Sequence, residues 1–293
     1  MFGTTYAFVV EHNKTINTKE NQMKLTVLVD NSTIIDKYFY GEPGLCFFIE
    51  EGENRILFDT GYSDIFLRNA CKMDIDIKTI NYIVLSHGHI DHTRGLSHLI
   101  EPDRETKEIT LLAHPAAFFR KEDDKTQIGM IVSPDVLKRC FNVVTSKTPL
   151  WLSERMVFLG EIERIHEFEN NDPIGTAFDN GMEMDDYLLD DSALVYKTDD
   201  GLVIITGCSH SGICNIVDYA IKVCGDHRIV DIIGGLHLMN PEEKLLKETI
   251  QHIKEVKPLQ MHPCHCTDLM SKIDLSQVTN LSDIGVGFEL EYK

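Results

Sequence analysis

Short apolar segments alternate with polar turns along most of the chain. Their length and their content of Val, Ile, Leu and Phe predict β-strands. The predicted strands are Leu25–Val29, Cys46–Glu50, Arg55–Phe58, Tyr82–Ser86, Ile109–Ala113, Ala193–Lys197, Leu202–Thr206 and Ile229–Gly234. Stretches with helical spacing of apolar residues lie between them. These predict helices over Ile65–Cys71, Arg94–Leu99, Gly212–Val223 and Pro241–Val256.

This alternation of strands and helices predicts a layered α/β protein with mixed sheets, because polar turns at 51–54 and 198–201 also indicate hairpins. Residues 1–10 are mildly apolar, residues 11–22 are polar, and Met23 then opens a second apolar run. We therefore expect an N-terminal extension over 1–22, either a loose tail or an added edge strand, and a single domain over 23–293. Residues at about 114–190 are less regular and acidic, which is typical of an insertion that forms a lid or binding loop.

The composition is that of an acidic globular protein. The 293 residues include 28 Lys and Arg against 47 Asp and Glu, a net charge of −19, and 43% are hydrophobic. This charge argues against binding to nucleic acid or to an anionic membrane, both of which need a basic surface. No basic leader and no apolar run of about 20 residues is visible, so we expect a cytoplasmic protein. The eight cysteines are then expected to be free, with Cys46, Cys71, Cys140 and Cys224 in the core.

A cluster of histidines follows the predicted strand that ends at Ser86. Three imidazoles and one carboxylate occur within six positions, at His87, His89, Asp91 and His92. In an extended loop, His87 and His89 point the same way because side chains alternate, and the other two follow where the chain turns into a helix. Such a loop can present ligands to two neighbouring ions. Imidazole favours zinc, iron or nickel, and the carboxylate extends the choice to manganese.

Further histidines lie after other predicted strands, where α/β folds gather their functional residues. His210 follows Leu202–Thr206, His237 follows Ile229–Gly234, and His265 lies just after the segment at Gln260. Each could alternatively be a buried, hydrogen-bonded histidine. His114 ends the strand Ile109–Ala113 and is expected to line the pocket or to contact a ligand.

The pattern H-x-H-x-D-H at 87–92, together with Leu57–Gly61 (LFDTG), resembles the signature of the metallo-β-lactamase superfamily. The resemblance implies a four-layer αββα sandwich and two divalent ions, zinc first, with Mn, Fe or Mg as alternatives. It also implies that Asp59 orients a metal-bound histidine through the free ring N–H. The implied metal ligands are His87, His89, Asp91, His92, His210 and His265.

Two positions depart from the family pattern. The family usually has a bridging aspartate after a glycine where this chain has Gly207-Cys208. Either His210 replaces that ligand, which we favour, or Cys208 coordinates as a thiolate. The histidine expected before Ala193 is not evident. Asp190 or Asp191 could take its place, or this segment could be an ordinary acidic loop.

Longer motifs at 40–45, 113–118, 206–216, 234–238 and 263–268 resemble one branch of the superfamily, that of 7,8-dihydropterin-6-methyl-4-(β-D-ribofuranosyl)aminobenzene 5′-phosphate synthase. The reaction implied there joins a pterin diphosphate to an aminobenzene ribosyl phosphate and releases diphosphate. We predict a metal-dependent hydrolase of a phosphate-containing or other anionic small molecule. The synthase is the alternative, and the substrate is then pterin-like.

In the hydrolase, Asp91 is expected to orient the nucleophile or accept its proton, and His237 to serve as a ligand or to face the substrate. The candidate cationic side chains for phosphate contact are Arg94, Arg120, Lys121 and Arg155, although each also fits an ordinary surface charge. An iron-binding redox protein and a non-catalytic metal sensor remain alternatives of a different class. No cysteine spacing resembles an iron–sulfur site.

Overall fold

Two large β-sheets lie face to face, and each carries helices on its outer side. The computed structural model describes residues 22–100, 108–169 and 172–293. The predicted N-terminal extension over 1–22 therefore lies, except for Gln22, outside the described residues. Within them, no helix combines the length and the hydrophobicity that crossing a bilayer would require.

Seventeen strands and six α-helices are assigned over the described ranges. The strands are β1 Met23–Val29, β2 Cys46–Glu51, β3 Asn54–Phe58, β4 Tyr82–Val84, β5 Thr110–Ala113, β6 Arg120–Asp123, β7 Thr126–Gln127, β8 Asn142–Thr145, β9 Leu150–Trp151, β10 Met156–Phe158, β11 Thr176–Asp179, β12 Met182–Asp185, β13 Ala193–Lys197, β14 Leu202–Thr206, β15 Ile229–Gly235, β16 Gln260–Cys264 and β17 Glu289–Tyr292. The helices are α1 Ile65–Lys72, α2 Ile90–Thr93, α3 Pro134–Cys140, α4 Ile213–Cys224, α5 Glu243–Val256 and α6 Leu269–Leu275.

The first sheet has the order β17-β1-β2-β3-β4-β5-β8, and the second has the order β16-β15-β14-β13-β10-β9. A small third sheet has the order β12-β11-β6-β7. Strands β3, β4, β5 and β8 are parallel, and so are β14, β15 and β16. Each large sheet therefore has one edge at which the carboxyl ends of several strands meet.

The alternation of side chains along the strands explains the layers. In β2, Phe47 and Ile49 pack between the two sheets, whereas Phe48 packs under the helices of the first sheet. In β14, Val203 joins the same central core, whereas Ile204 packs against α4 and α5. Because both faces of these strands are buried, each sheet lies between the other sheet and a helical layer. The predicted four-layer αββα architecture is confirmed.

Local sequence explains where several helices begin and end. The Ser133 hydroxyl accepts a hydrogen bond from a backbone N–H in the first turn of α3, and the Asp268 carboxylate does the same for α6. Helix α4 ends at Gly225, whose φ of 67° lies in the left-handed region.

Several predicted elements were placed differently by the structure. The strand predicted to end at Ser86 ends at Val84, and the α-helix predicted over Arg94–Leu99 is a 3-10 segment over Arg94–His98 that follows α2. The range 114–190 contains strands of both large sheets as well as the third sheet. All eight cysteines are free, as expected, but Cys71 is exposed rather than in the core.

Candidate metal centre

Five strand ends bring the predicted site residues to one edge of the sandwich. Strands β3 and β4 of the first sheet lead into the segments that carry Asp59 and His87. Strands β14, β15 and β16 of the second sheet lead into those that carry Cys208, His237 and His265. The first-sheet and second-sheet segments meet here because the strands of each group run parallel.

The backbone turns sharply at this edge. Asp59, Ser209, His237 and His265 have φ values of 59°, 61°, 53° and 51°. This left-handed conformation is uncommon for residues other than glycine, so its occurrence at four residues of one edge is notable. Each turn lets a side chain that follows a strand point across the edge.

A first group of side chains consists of His87, Cys208 and His210, whose ligand atoms lie within 4.8 Å of one another. The His89 ring belongs beside it, with its centroid 4.7 Å from that of His87 and 4.8 Å from that of His210. The Nε2 atoms of His87 and His89 and both ring nitrogens of His210 are buried and make no hydrogen bond. Buried polar atoms are nearly always paired, so these nitrogens need a partner from outside the chain.

A second group consists of His92, Cys208 and His265, again within 4.8 Å. The Nε2 atom of His92 lies 3.2 Å from the Cys208 thiol and 3.2 Å from Nε2 of His265. An Asp91 carboxylate oxygen lies 3.4 Å from that His265 nitrogen and 3.7 Å from the His92 nitrogen. The carboxylate and the two imidazoles thus face a common point.

Cys208 belongs to both groups, so its thiol lies between them. The sequence left open whether His210 or Cys208 replaces the usual aspartate, and the structure brings both to the site. His237 lies next to His210 with ring centroids 4.3 Å apart, and its Nδ1 atom is buried without a hydrogen bond. Its backbone N–H donates to the thiol of Cys266 at 3.3 Å.

Asp59 lies beneath the cluster and orients it. Its carboxylate accepts from the Ser86 backbone N–H at 2.8 Å and from the Ser86 hydroxyl at 2.7 Å, and it lies 2.7 Å from Nδ1 of His92. This leaves Nε2 of His92 facing the ligand atoms. Gly207 packs against the same hydroxyl, since a Cβ there would lie 2.0 Å from the Ser86 oxygen. Nothing in the sequence pattern singles out Ser86, which lies between an apolar strand and the histidine cluster.

Asp190 and Asp191 support the site from the second sheet rather than through direct contact with the imidazoles. Asp190 accepts from the backbone N–H of Gly88 at 2.7 Å and pairs with the Lys121 ammonium at 2.6 Å. Asp191 accepts from the backbone N–H of Ser211 at 2.9 Å. Lys121 is fully buried between Asp190 and another carboxylate. It is therefore neither a surface charge nor a cation that is free to contact phosphate.

His265 is held by residues that sequence reasoning missed. Its backbone N–H donates to the Asp30 carboxylate at 2.9 Å, and its Nδ1 atom lies 3.1 Å from the Asn31 side-chain oxygen. These two residues follow β1, far away in sequence. Their position directly after β1 could have indicated this role, because other residues that follow strand ends on this edge belong to the site.

His114 does not join the cluster. One ring nitrogen accepts from the Ala116 backbone N–H at 3.2 Å, and the other lies 3.1 Å from the Glu161 carboxylate. With both nitrogens partnered, it is not placed to bind an ion. The arginines proposed for phosphate make other contacts. Arg94 stacks on Tyr62, whereas the remaining two pair with carboxylates or stack on a ring.

Charge is distributed unevenly across the two groups. Burial, reinforced by the neighbouring imidazoles, lowers the pKa of His87 and His210 well below the usual value, and burial lowers that of His89 to about 4. Burial also disfavours a charged His92, but Asp91 and the carboxylate beneath it outweigh this effect and raise the pKa of His92 to about 9. The imidazoles of the first group are therefore neutral near pH 7, whereas the second group contains one protonated imidazole, that of His92.

A cavity of about 500 Å³ opens beside His265. Its walls include Asn31, Lys272 and the apolar side chains of Leu269 and Ile273. This volume lies within the range of about 300–1,000 Å³ that small-molecule sites occupy.

The donor set fits divalent metal binding. Imidazole, carboxylate and thiol groups are ligands that zinc accepts, and ring nitrogens of His87, His89 and His210 are buried without a hydrogen-bond partner. Divalent metal binding is thus the function that these side chains serve best.

Comparisons with known proteins agree with this geometry. The family described as "Metallo-beta-lactamase superfamily" matches residues 40–136. The 7,8-dihydropterin-6-methyl-4-(β-D-ribofuranosyl)-aminobenzene-5′-phosphate synthase of Methanocaldococcus jannaschii is 33% identical over 263 residues, covering 85% of this chain and 89% of that protein. An uncharacterised protein of the same archaeon is 31% identical and covers 87% and 95% of the two chains. A crystal structure of a metal-dependent hydrolase of the β-lactamase superfamily has a TM-score of 0.78 at 27% identity, covering 92% and 98%.

Proposed function

The chain belongs to the metallo-β-lactamase superfamily, and from that premise we propose that it is a divalent-metal-dependent hydrolase of a phosphate-containing or other anionic small molecule. The observation that carries this proposal is the set of buried imidazole nitrogens without hydrogen bonds. A solved hydrolase that is 27% identical over almost the whole chain supports the same activity.

In this proposal two groups of ligands hold two ions, with zinc as the best chemical match to the ligands and Mn, Fe or Mg as alternatives. The first ion would be held by His87, His89 and His210, and the second by Asp91, His92 and His265. The thiol of Cys208 would be shared between them. Two bound divalent ions would supply Lewis acidity, lowering the pKa of an attacking water and stabilising charge on the substrate.

The chain's own groups would manage the proton transfers. Burial disfavours the ionised form of Asp91, but the nearby imidazole of His92 outweighs it and keeps the pKa of this carboxyl well below its usual range. Asp91 is therefore ionised at neutral pH, so its carboxylate can accept a hydrogen bond from the nucleophile and orient it. Burial disfavours charge on His237, but the Cys266 thiol outweighs burial and raises its pKa. His237 is thus suited to donate a proton to a leaving group.

The substrate is proposed to occupy the cavity beside His265. Lys272 on its wall pairs with Asp283 at 2.7 Å, so an incoming phosphate would compete for an ammonium that already has a partner. The apolar part of the wall suits a flat organic group.

A second candidate is the synthase reaction, which the 33% identity to the archaeal pterin enzyme favours. The shared requirement is a metal centre that stabilises a departing anion. The two candidates differ in what attacks, water in one case and an organic acceptor in the other.

One experiment separates them. Zinc- or manganese-loaded protein is incubated with phosphate monoesters, diesters and diphosphates, and separately with a pterin methyl diphosphate with and without an aminobenzene ribosyl phosphate. Release of phosphate or diphosphate without the acceptor indicates a hydrolase, whereas release only with it indicates the synthase. EDTA should abolish either activity, and zinc or manganese should restore it.

A matched pair of variants makes this assay specific. His265→Gln should lose activity, because the ligand nitrogen is replaced, whereas the exposed His227→Gln should retain it. Metal binding without turnover on any of these substrates would contradict an enzymatic role and favour a sensor. Redox-active iron without turnover would favour an electron-transfer protein.

A further inference from the structure

A separate cluster of ligand-type side chains lies on the helical face of the second sheet. His166 comes from the loop before residue 169, Asp218 from α4 and His252 from α5. Their ligand atoms all lie within 4.8 Å of one another. Residues 166, 218 and 252 are far apart in the chain, so the sequence alone does not mark them as neighbours.

The distances within this cluster are close to those between the ligands of a metal ion. Nε2 of His166 lies 2.8 Å from one Asp218 carboxylate oxygen, and Nε2 of His252 lies 3.3 Å from the other. That His252 nitrogen is buried and makes no hydrogen bond. Zinc–nitrogen bonds of about 2.0–2.1 Å place neighbouring tetrahedral ligands about 3.3 Å apart, so small side-chain movements suffice.

The surroundings suit a metal better than a plain ion pair. The side chains are 22%, 29% and 14% exposed for His166, Asp218 and His252. Solvent can therefore complete the coordination, while the two rings, 4.9 Å apart between centroids, remain packed against each other. Two imidazoles and one carboxylate select a transition metal over calcium or magnesium, which prefer oxygen ligands.

We propose that His166, Asp218 and His252 bind a divalent transition-metal ion, with zinc as the best match to the ligands and water completing its coordination. The site shares no ligand with the proposed catalytic centre and goes beyond the proposed function. Its three ligands come from three separate elements, so the bound ion would cross-link the loop to both outer helices.

This cross-link would act on a segment that carries part of the catalytic centre. The Glu169 carboxylate accepts from the backbone N–H groups of Cys214 and Asn215 in the first turn of α4. The Asn215 side-chain oxygen accepts from the backbone N–H of His166 at 3.0 Å. Since α4 begins just after His210, an ion at the second site would brace the base of that ligand loop.

Zinc stoichiometry tests the proposal. Equilibrium dialysis followed by metal analysis compares the wild type with the double variant His166→Gln/His252→Gln and with His227→Gln, which replaces an exposed histidine elsewhere. The double variant should bind one zinc ion fewer per chain, and the control should match the wild type. Wild-type zinc binding at about 100 times Kd of this site should also raise Tm by about 5 °C more than in the double variant.

Equal zinc stoichiometry in the double variant and the wild type would overturn the proposal and leave only histidine–carboxylate ion pairs. If the double variant does not fold, His252→Gln alone gives the same reading, because it retains the contact between His166 and Asp218. A third protein, His87→Gln/His210→Gln, separates the two sites. It should lose zinc from the catalytic centre and keep the ion at the second site, so failure of one proposal is distinguishable from failure of the other.

Discussion

Metal binding at the candidate metal centre should release protons, and their number tests whether Cys208 is a ligand. Burial disfavours charge on His92, but Asp91 and Asp59 outweigh it and raise its pKa to about 9. Burial raises the pKa of the Cys208 thiol well above its usual value. Both groups therefore carry a proton at pH 7. The neighbouring His89, whose pKa burial lowers to about 4, does not.

Coordination requires the deprotonated forms of imidazole and thiol. Filling the centre at pH 7 should thus release about two protons from the wild type, one each from His92 and Cys208, and about one from Cys208→Ser. Each proton makes affinity change about tenfold per pH unit, equivalent to about 1.4 kcal/mol. Below pH 9, the affinity of the wild type should then fall about 100-fold per unit of decreasing pH, against about tenfold in the variant.

Isothermal titration calorimetry with zinc, repeated at pH 7 in buffers of different ionisation enthalpy, gives the number of protons directly. Cys224→Ser is the matched control, because it removes a buried thiol at the far end of α4. Equal proton release by Cys208→Ser and the wild type would refute thiolate coordination. A release that differs by about one proton while the control is unchanged would support it.

Three further substitutions test the supports of the site. Asp59→Asn should weaken zinc binding by about 10- to 100-fold in a competition assay with a chelator, because the amide orients His92 less well, while the fold is retained. Asp190→Asn should lower the free energy of unfolding by about 3–5 kcal/mol in urea titrations, since Lys121 loses its closest buried counter-charge; a loss below about 1 kcal/mol would contradict this. Gly95→Ala should lower Tm and disturb the histidine loop, because its Cβ would lie 2.0 Å from a backbone oxygen; an unchanged Tm would show that the loop yields easily.

Much of the architecture was readable from the sequence. The hairpin strands Ala193–Lys197 and Leu202–Thr206 were predicted with their exact bounds, because continuous apolar runs flank an unambiguous turn. The 3-10 segment at Arg94–His98 was not predicted, since its tight turn depends on close packing of Gly95 against a distant backbone oxygen. Tertiary contact, rather than local preference, decides such geometry.

For the site, the residues that meet were easier to predict from the sequence than the role of each one. The convergence of His87, His210 and His265 was anticipated because all three follow strand ends. The buried position of Lys121 was not, because its counter-charges Asp186 and Asp190 lie 65 and 69 residues later in a segment without periodicity. The cluster around Asp218 was missed for the same reason, since nothing local marks three distant side chains as neighbours.

The edge that carries the candidate metal centre takes its donors from two distant stretches of the chain. His87 to His92 follow a strand of the first sheet, whereas Cys208, His237 and His265 follow strands of the second. A growing polypeptide consequently cannot assemble the full chelating set until every residue as far as His265 has been synthesised. Complete metal binding should therefore come after both sheets have formed, and the bound metal would then clamp one sheet to the other.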